Sequence, residues 1–176
     1  MHHKISMALG AVIALAMVPS AQAQTAPQSA PPPAKPVSAA MITLAQAVRI
    51  AQNTLTACAA KQETAAVSIT DADGNLRVAL SADGLNPVGL RTAPLKSTTV
   101  MQFRQSTRVL GERLEKDAAF RDGPGKDPRY FFHPGALPLY RGGQFIGVLA
   151  VGGGHDKDEA CALEALAKEP DLKVAP

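Results

Sequence analysis

The sequence predicts an α+β domain in which helices pack on an antiparallel sheet. Three observations carry this. A helical apolar stripe opens the globular part, two hairpin signals interleave with further helical spacing, and a glycine-rich corner joins the last strand to the last helix. Hairpins interleaved with helices favour an antiparallel sheet over a doubly wound parallel one.

The chain has 176 residues. Ahead of the domain, Lys4 is followed by an apolar run from Met7 to Val18, then Pro19 and Ala21-Gln22-Ala23. A positive start, a short apolar stretch and an A-x-A site predict a signal peptide over 1–23, cut before Gln24. The run is shorter than the roughly 20 apolar residues that span a bilayer, so no stable membrane insertion is expected once the signal is removed. The mature protein is expected to be periplasmic or secreted. Residues 24–40 are rich in Pro, Ala and Ser. Such composition buries little apolar surface, which predicts an extended tether.

The domain is placed at 41–173. Thr43-Leu-Ala-Gln46 is a capping-box pattern, and Leu44, Ala47, Val48, Ala51, Leu55 and Cys58 keep helical spacing, giving a first helix to about Lys61. Ala65 to Thr70 and Leu76 to Ser81 read as strands around Asp71-Ala-Asp-Gly-Asn75, a hairpin turn. The D-x-D-x-N spacing suggests calcium, but an EF-hand loop needs glycine sixth and glutamate twelfth, where Leu76 and Ala82 stand.

From Leu90 to Lys116 the spacing is helical in two pieces. Pro94 suits a first turn, Ser106 can cap the second piece, and Val109, Leu110 and Leu114 turn inward. Asp122 to Arg129 reads as a loop. Leu137 to Tyr140 and Phe145 to Val151 read as strands joined by Arg141-Gly-Gly-Gln144. The stretch Val151 to Cys161, VGGGHDKDEAC, then joins a buried strand to a helix over about Lys157 to Lys168. Glycines permit the reversal, and Asp156 or Asp158 can cap the helix. It has no G-K-[ST] for a phosphate loop, and a metal site there would need three or four convergent ligands.

A formal charge of +3, with few aromatics and no basic patch, excludes a nucleic-acid binder. Cys58 and Cys161 are the only cysteines. Two readings stay open, a disulfide in an oxidising compartment or two buried thiols. Neither lies in C-x-x-C-H, which excludes covalent c-type haem. The sequence has no G-x-S-x-G elbow, and no nucleotide fingerprint. Asp158 and Glu159, adjacent on a helix, diverge by about 100°. Nothing here signals catalysis.

TLAQAVRIAQNTL, VSITDADGNL, RTAPLK, GALPL, GQFIGVLAVGG and DEACA, in that order and spacing, resemble the GlcG/HbpS-like family over nearly all of 41–168. The matching positions are Asp71, Gly74, Ala93, Lys96, Pro138, Gly147, Gly153, Asp158, Glu159 and Cys161. Gly152 departs from a common serine and Ala136 from a common glycine. The resemblance implies a profilin-like fold and a homo-oligomer. It also implies non-covalent binding of haem or another tetrapyrrole, in some exported members as an accessory to redox sensing or haem handling.

Haem needs an apolar slot and a cation or two for its propionates, with an axial donor such as His, Met or Tyr optional. His133 lies in an aromatic run with Tyr130, Phe131 and Phe132, and is either an axial donor or a loop residue stacked on its neighbours. Arg91 and Lys96 could meet carboxylates; for Lys96 the other reading is a solvated helix face. The expected cofactor set is therefore His133, Lys96, Arg91, Tyr130 and Phe132. Two other functions stay open, a module for a small, glycolate-like organic acid held by Arg91 and Lys96, and a non-catalytic oligomeric accessory.

Overall fold

The structure, a computed structural model, describes residues 41–174. The expected signal peptide and tether lie outside the described residues.

Helix α1 spans Leu44–Ala60, with the Thr43 hydroxyl accepting from the Gln46 N–H at 3.2 Å. The capping box is half formed. The Gln46 side chain turns instead to Glu169, at 2.9 Å, and to Asp171. The buried stripe is Ala47, Ile50, Ala51, Thr54, Ala57 and Cys58, while Leu44 is exposed. Thr54 is tolerated in the core because its hydroxyl donates to the Ile50 carbonyl at 2.8 Å.

Strands β1 (Ala66–Asp71) and β2 (Leu76–Ser81) form the first hairpin. At its turn, Asp71 Oδ1 accepts from the Asp73 and Asn75 N–H groups at 3.1 and 2.9 Å, so the acidic spacing serves an Asx-type turn. Helix α2 spans Pro87–Phe103, not from about Leu90 as expected. Asn86 Oδ1 caps it, accepting from the Val88 N–H at 3.0 Å, and Pro87 rather than Pro94 fills the first turn. Pro94 sits inside the helix, where it removes one backbone hydrogen bond on an exposed side.

Arg104 ends α2 in the left-handed region. Helix α3 (Thr107–Lys116) follows, capped as expected by Ser106, with Leu110 buried. A short helix α4 (Ala118–Asp122), capped by Asp117, precedes the loop. Strands β3 (Ala136–Arg141) and β4 (Gln144–Gly152) make the second hairpin. Helix α5 spans Asp158–Leu166, and a two-residue strand β5 (Lys173–Val174) pairs with β3.

The sheet order is β2-β1-β4-β3-β5, and every described pairing is antiparallel. This is the α+β architecture read from the sequence. The main core lies between one sheet face and helices α1 and α5. There Ile50, Ala51, Val67, Ile69, Leu137, Leu149, Ala162 and Leu166 are buried together. Each fully buried aliphatic side chain contributes about 1.5–3 kcal/mol. Cys58 and Cys161 are disulfide-bonded across this layer, with Cα atoms 5.1 Å apart, tying α1 to α5. On the other face α2 packs through Val100 onto Ala136, Val148 and Ala150.

Candidate functional site

Three segments meet at the end of the sheet where β4 runs into α5: the first turns of α2, the loop 131–135 and the corner 153–158. They enclose an apolar pocket of about 200 Å³ whose walls include Val88, Thr92, Lys96, Phe131, His133 and His155. Glycines set the distances. A Cβ on Gly89 would lie 2.9 Å from the Gly152 carbonyl oxygen, so helix and strand backbones touch there. A Cβ on Gly135 would meet Asp158 Cβ at 2.6 Å and Lys96 Nζ at 2.7 Å, and its φ of +131° also favours glycine.

Lys96 forms the floor and is 2% exposed. Its ammonium donates to Asp158 Oδ2 at 2.6 Å, the Pro134 carbonyl at 2.7 Å and the Val151 carbonyl at 2.8 Å. An ammonium has three donors, and here all three are occupied. Burial pushes the Lys96 amine below its ordinary pKa, and the Asp158 carboxylate acts against that shift. Lys96 is thus neither a solvated helix residue nor a free cation facing the pocket. Asp158 does not cap α5 as expected. Its second oxygen accepts from the Gly154 N–H at 2.7 Å, closing the glycine corner onto the ion pair.

The aromatic run divides by alternation, as extended chain does. Tyr130 and Phe132 turn to one side: Tyr130 packs edge-on with Phe103 of α2, and Phe132 packs edge-on with Phe120 of α4 and tilted against Phe103, at centroid distances of 5.1 to 6.1 Å. They anchor the loop and are not walls of this pocket. Phe131 and His133 turn to the other side, stacked at 5.2 Å with planes 21° apart, and both line the pocket. Phe131 was not singled out in the sequence, although the alternation Tyr-Phe-Phe-His contains the signal. His155, expected in the glycine-rich turn or, with Asp156 and Asp158, as a metal ligand, adopts a left-handed φ of +51° and also lines the pocket. Arg91 is exposed on α2 and is not among the lining residues.

The arrangement offers two imidazoles, a stacked aromatic ring and an apolar wall above a neutralised ion pair. Chemically it can present nitrogen donors and an aromatic face to a ligand. Among the described residues no group of three His, Cys, Asp or Glu side chains could hold a metal ion by itself.

Fold and pocket together define a small α+β binding domain with a five-stranded sheet. The chain belongs to the HbpS-like family, whose model, described as "Haem degrading protein HbpS-like", matches residues 42–167. A double mutant of Streptomyces reticuli HbpS is 26% identical, with TM-score 0.64, covering 81% of this chain and 98% of that one. A PduOC:heme complex is 22% identical, with TM-score 0.68 and coverages of 77% and 97%. The Klebsiella pneumoniae protein ORFY is 21% identical, with TM-score 0.66 and coverages of 79% and 96%. No curated protein matches the chain.

Proposed function

We propose that the protein binds haem or a related tetrapyrrole non-covalently at this pocket, as an exported protein. One observation carries the reading: the two histidines of residues 41–174 both line a single apolar pocket, one of them stacked on Phe131. Family membership and a structural relative solved with heme support it.

The residues fit the group in kind. His133 and His155 would supply nitrogen donors to the iron, and Val88 and Phe131 would supply the apolar and aromatic wall. Bound haem would contribute an iron open to axial ligation. A pocket of about 200 Å³ is smaller than the roughly 300–1,000 Å³ of enclosed ligand sites, so these residues would hold only part of a tetrapyrrole. Lys96 then acts as a positioning residue, fixing the loop that carries Phe131 and His133 to the corner that carries His155. A small organic acid is less favoured, because the buried cation already has a carboxylate beside it.

Titration with hemin should shift the Soret band. His133→Ala and His155→Ala should each weaken binding by about tenfold, and the double variant should leave no specific shift. A spectrum unchanged by the protein, or a titration identical in the double variant, would remove this reading.

A further inference from the structure

Helix α2 packs over β4, β1 and β3, and a trough runs between it and β2. Two adjoining cavities of about 480 and 110 Å³ form the trough, and Ser68, Ala79 and Pro94 line both. The larger is more than twice the size of the histidine pocket and falls within the roughly 300–1,000 Å³ of small-molecule sites. Neither cavity shares a lining residue with that pocket.

Ser68 and Thr70 are alternate residues of β1, so they point to the same face, about 6.6 Å apart along the strand. Thr70 meets Ser97 of α2 at 3.1 Å. Two hydroxyls so joined use one proton between them, which leaves one proton to donate and lone pairs to accept. The Ser68 hydroxyl is buried and has no hydrogen-bond partner among the described residues. A buried polar group left without a partner costs stability, so Ser68 reads as one half of a bond that a ligand completes. Asp73 lines the larger cavity, and no Lys, Arg or His lines either. Ala79, Pro94 and Met101 supply apolar wall.

We propose that the trough binds a neutral sugar of one or two rings. A sugar hydroxyl both donates and accepts, which is what Ser68 and the Thr70–Ser97 pair each have left to satisfy. A carboxylate only accepts, so Asp73 suits a further hydroxyl. A sugar ring carries its hydroxyls at the rim and C–H groups on its faces, and so meets these polar groups and the apolar wall together. An anion finds no cation here and is repelled by Asp73. A cation gains little, because Asp73 is exposed and an exposed ion pair is weak. A simple apolar alcohol would satisfy one group and leave the others unpaired.

The test is a titration of the purified protein without hemin, followed by amide NMR shifts. Glucose, galactose, maltose and trehalose are the neutral probes, with gluconate, glucosamine and cyclohexanol as comparators. At least one neutral sugar should shift the amides of Ser68, Thr70, Ala79 and Ser97 with a Kd below about 1 mM, leaving those of 131–135 and 153–158 in place. Ser68→Ala should weaken binding at least about tenfold while its thermal midpoint stays equal or rises, since an unpaired buried hydroxyl is removed. Ala79→Leu, at an exposed position, should fill the trough and abolish the shifts. Hemin should titrate Ser68→Ala as it does the wild type, so this proposal and the haem reading fail separately. The proposal is overturned if no neutral sugar gives a saturable shift, or if gluconate, glucosamine or cyclohexanol binds as tightly. It is overturned too if Ser68→Ala binds like the wild type or is less stable, since Ser68 would then have its partner within the fold.

Discussion

A lysine is costly to bury, and Lys96 is held in the interior by three acceptors on three different segments. Truncating one partner of such a pair leaves the other charge desolvated and alone, a loss of about 3–5 kcal/mol. Lys96→Met, measured by urea unfolding, should cost that much, because it abandons the Asp158 carboxylate at 2% exposure. Asp158→Asn should cost less, since its amide oxygen can still accept from Lys96 or Gly154. A double-mutant cycle should return a coupling well above the 0–1 kcal/mol of surface pairs. A Lys96→Met variant as stable as the wild type would show that the pair is not buried in solution. Both residues were marked in the sequence, but as a ligand and a cap. Their partnership crosses 62 residues of sequence, and no local pattern encodes a contact of that range. His133 was legible for its aromatic neighbours. Phe131 was not, because which side of the loop 131–135 faces the pocket is decided by where Phe103 and Phe120 lie, and His155 was not, because it reaches the pocket from the separate corner 153–158.

At the scale of elements, the signals that held were chemical and local. Asp71 to Asn75 and Arg141 to Gln144 made the turns expected of them, and Thr43 and Ser106 capped the helices they precede. Helix α2 starts earlier than Pro94 suggests because Asn86-Pro87 is itself a cap followed by a first-turn proline. β5 was not seen, since a two-residue strand has no period to detect. It follows a C-terminal turn organised by charge. Glu169, 3% exposed, meets Arg49 Nε of α1 at 2.7 Å and Gln46 at 2.9 Å. The hydrogen bond from Arg49 holds the Glu169 carboxyl below its ordinary pKa, against the effect of burial. A carboxylate whose pKa is depressed by folding stabilises the fold above its unfolded pKa, and that contribution is lost as pH falls through the folded value. Thermal midpoints should therefore drop between about pH 5 and 3, and Arg49→Met should lower the neutral-pH midpoint and so flatten that part of the profile. An acid limb identical in Arg49→Met would mean that other carboxylates govern it.

At the scale of the molecule, the disulfide bears on where the protein folds. Cys58 and Cys161 are fully buried and close a loop of 103 residues, joining α1 to the helix that begins with Asp158. The same bond therefore restrains the core layer and, three residues upstream of Cys161, the corner that closes the pocket. In the chain-entropy model a loop of about 100 residues gives up to about 4.7 kcal/mol. That gain is available only where thiols are oxidised, which agrees with the export proposed from Lys4, Met7 to Val18 and Ala21-Gln22-Ala23. Mass spectrometry of the mature protein should find an N-terminus at Gln24 and a mass two hydrogens below that of the dithiol. Cys58→Ala with Cys161→Ala should lower unfolding stability by about 2–5 kcal/mol. Because α5 then loses its tether, hemin affinity should fall with stability even though neither cysteine lines the pocket. Refolding the wild type under reducing conditions should reproduce both losses, and reoxidation should reverse them. Equal stability of oxidised and reduced protein would leave the bond without a structural role, and an uncleaved chain with free thiols would overturn the export reading.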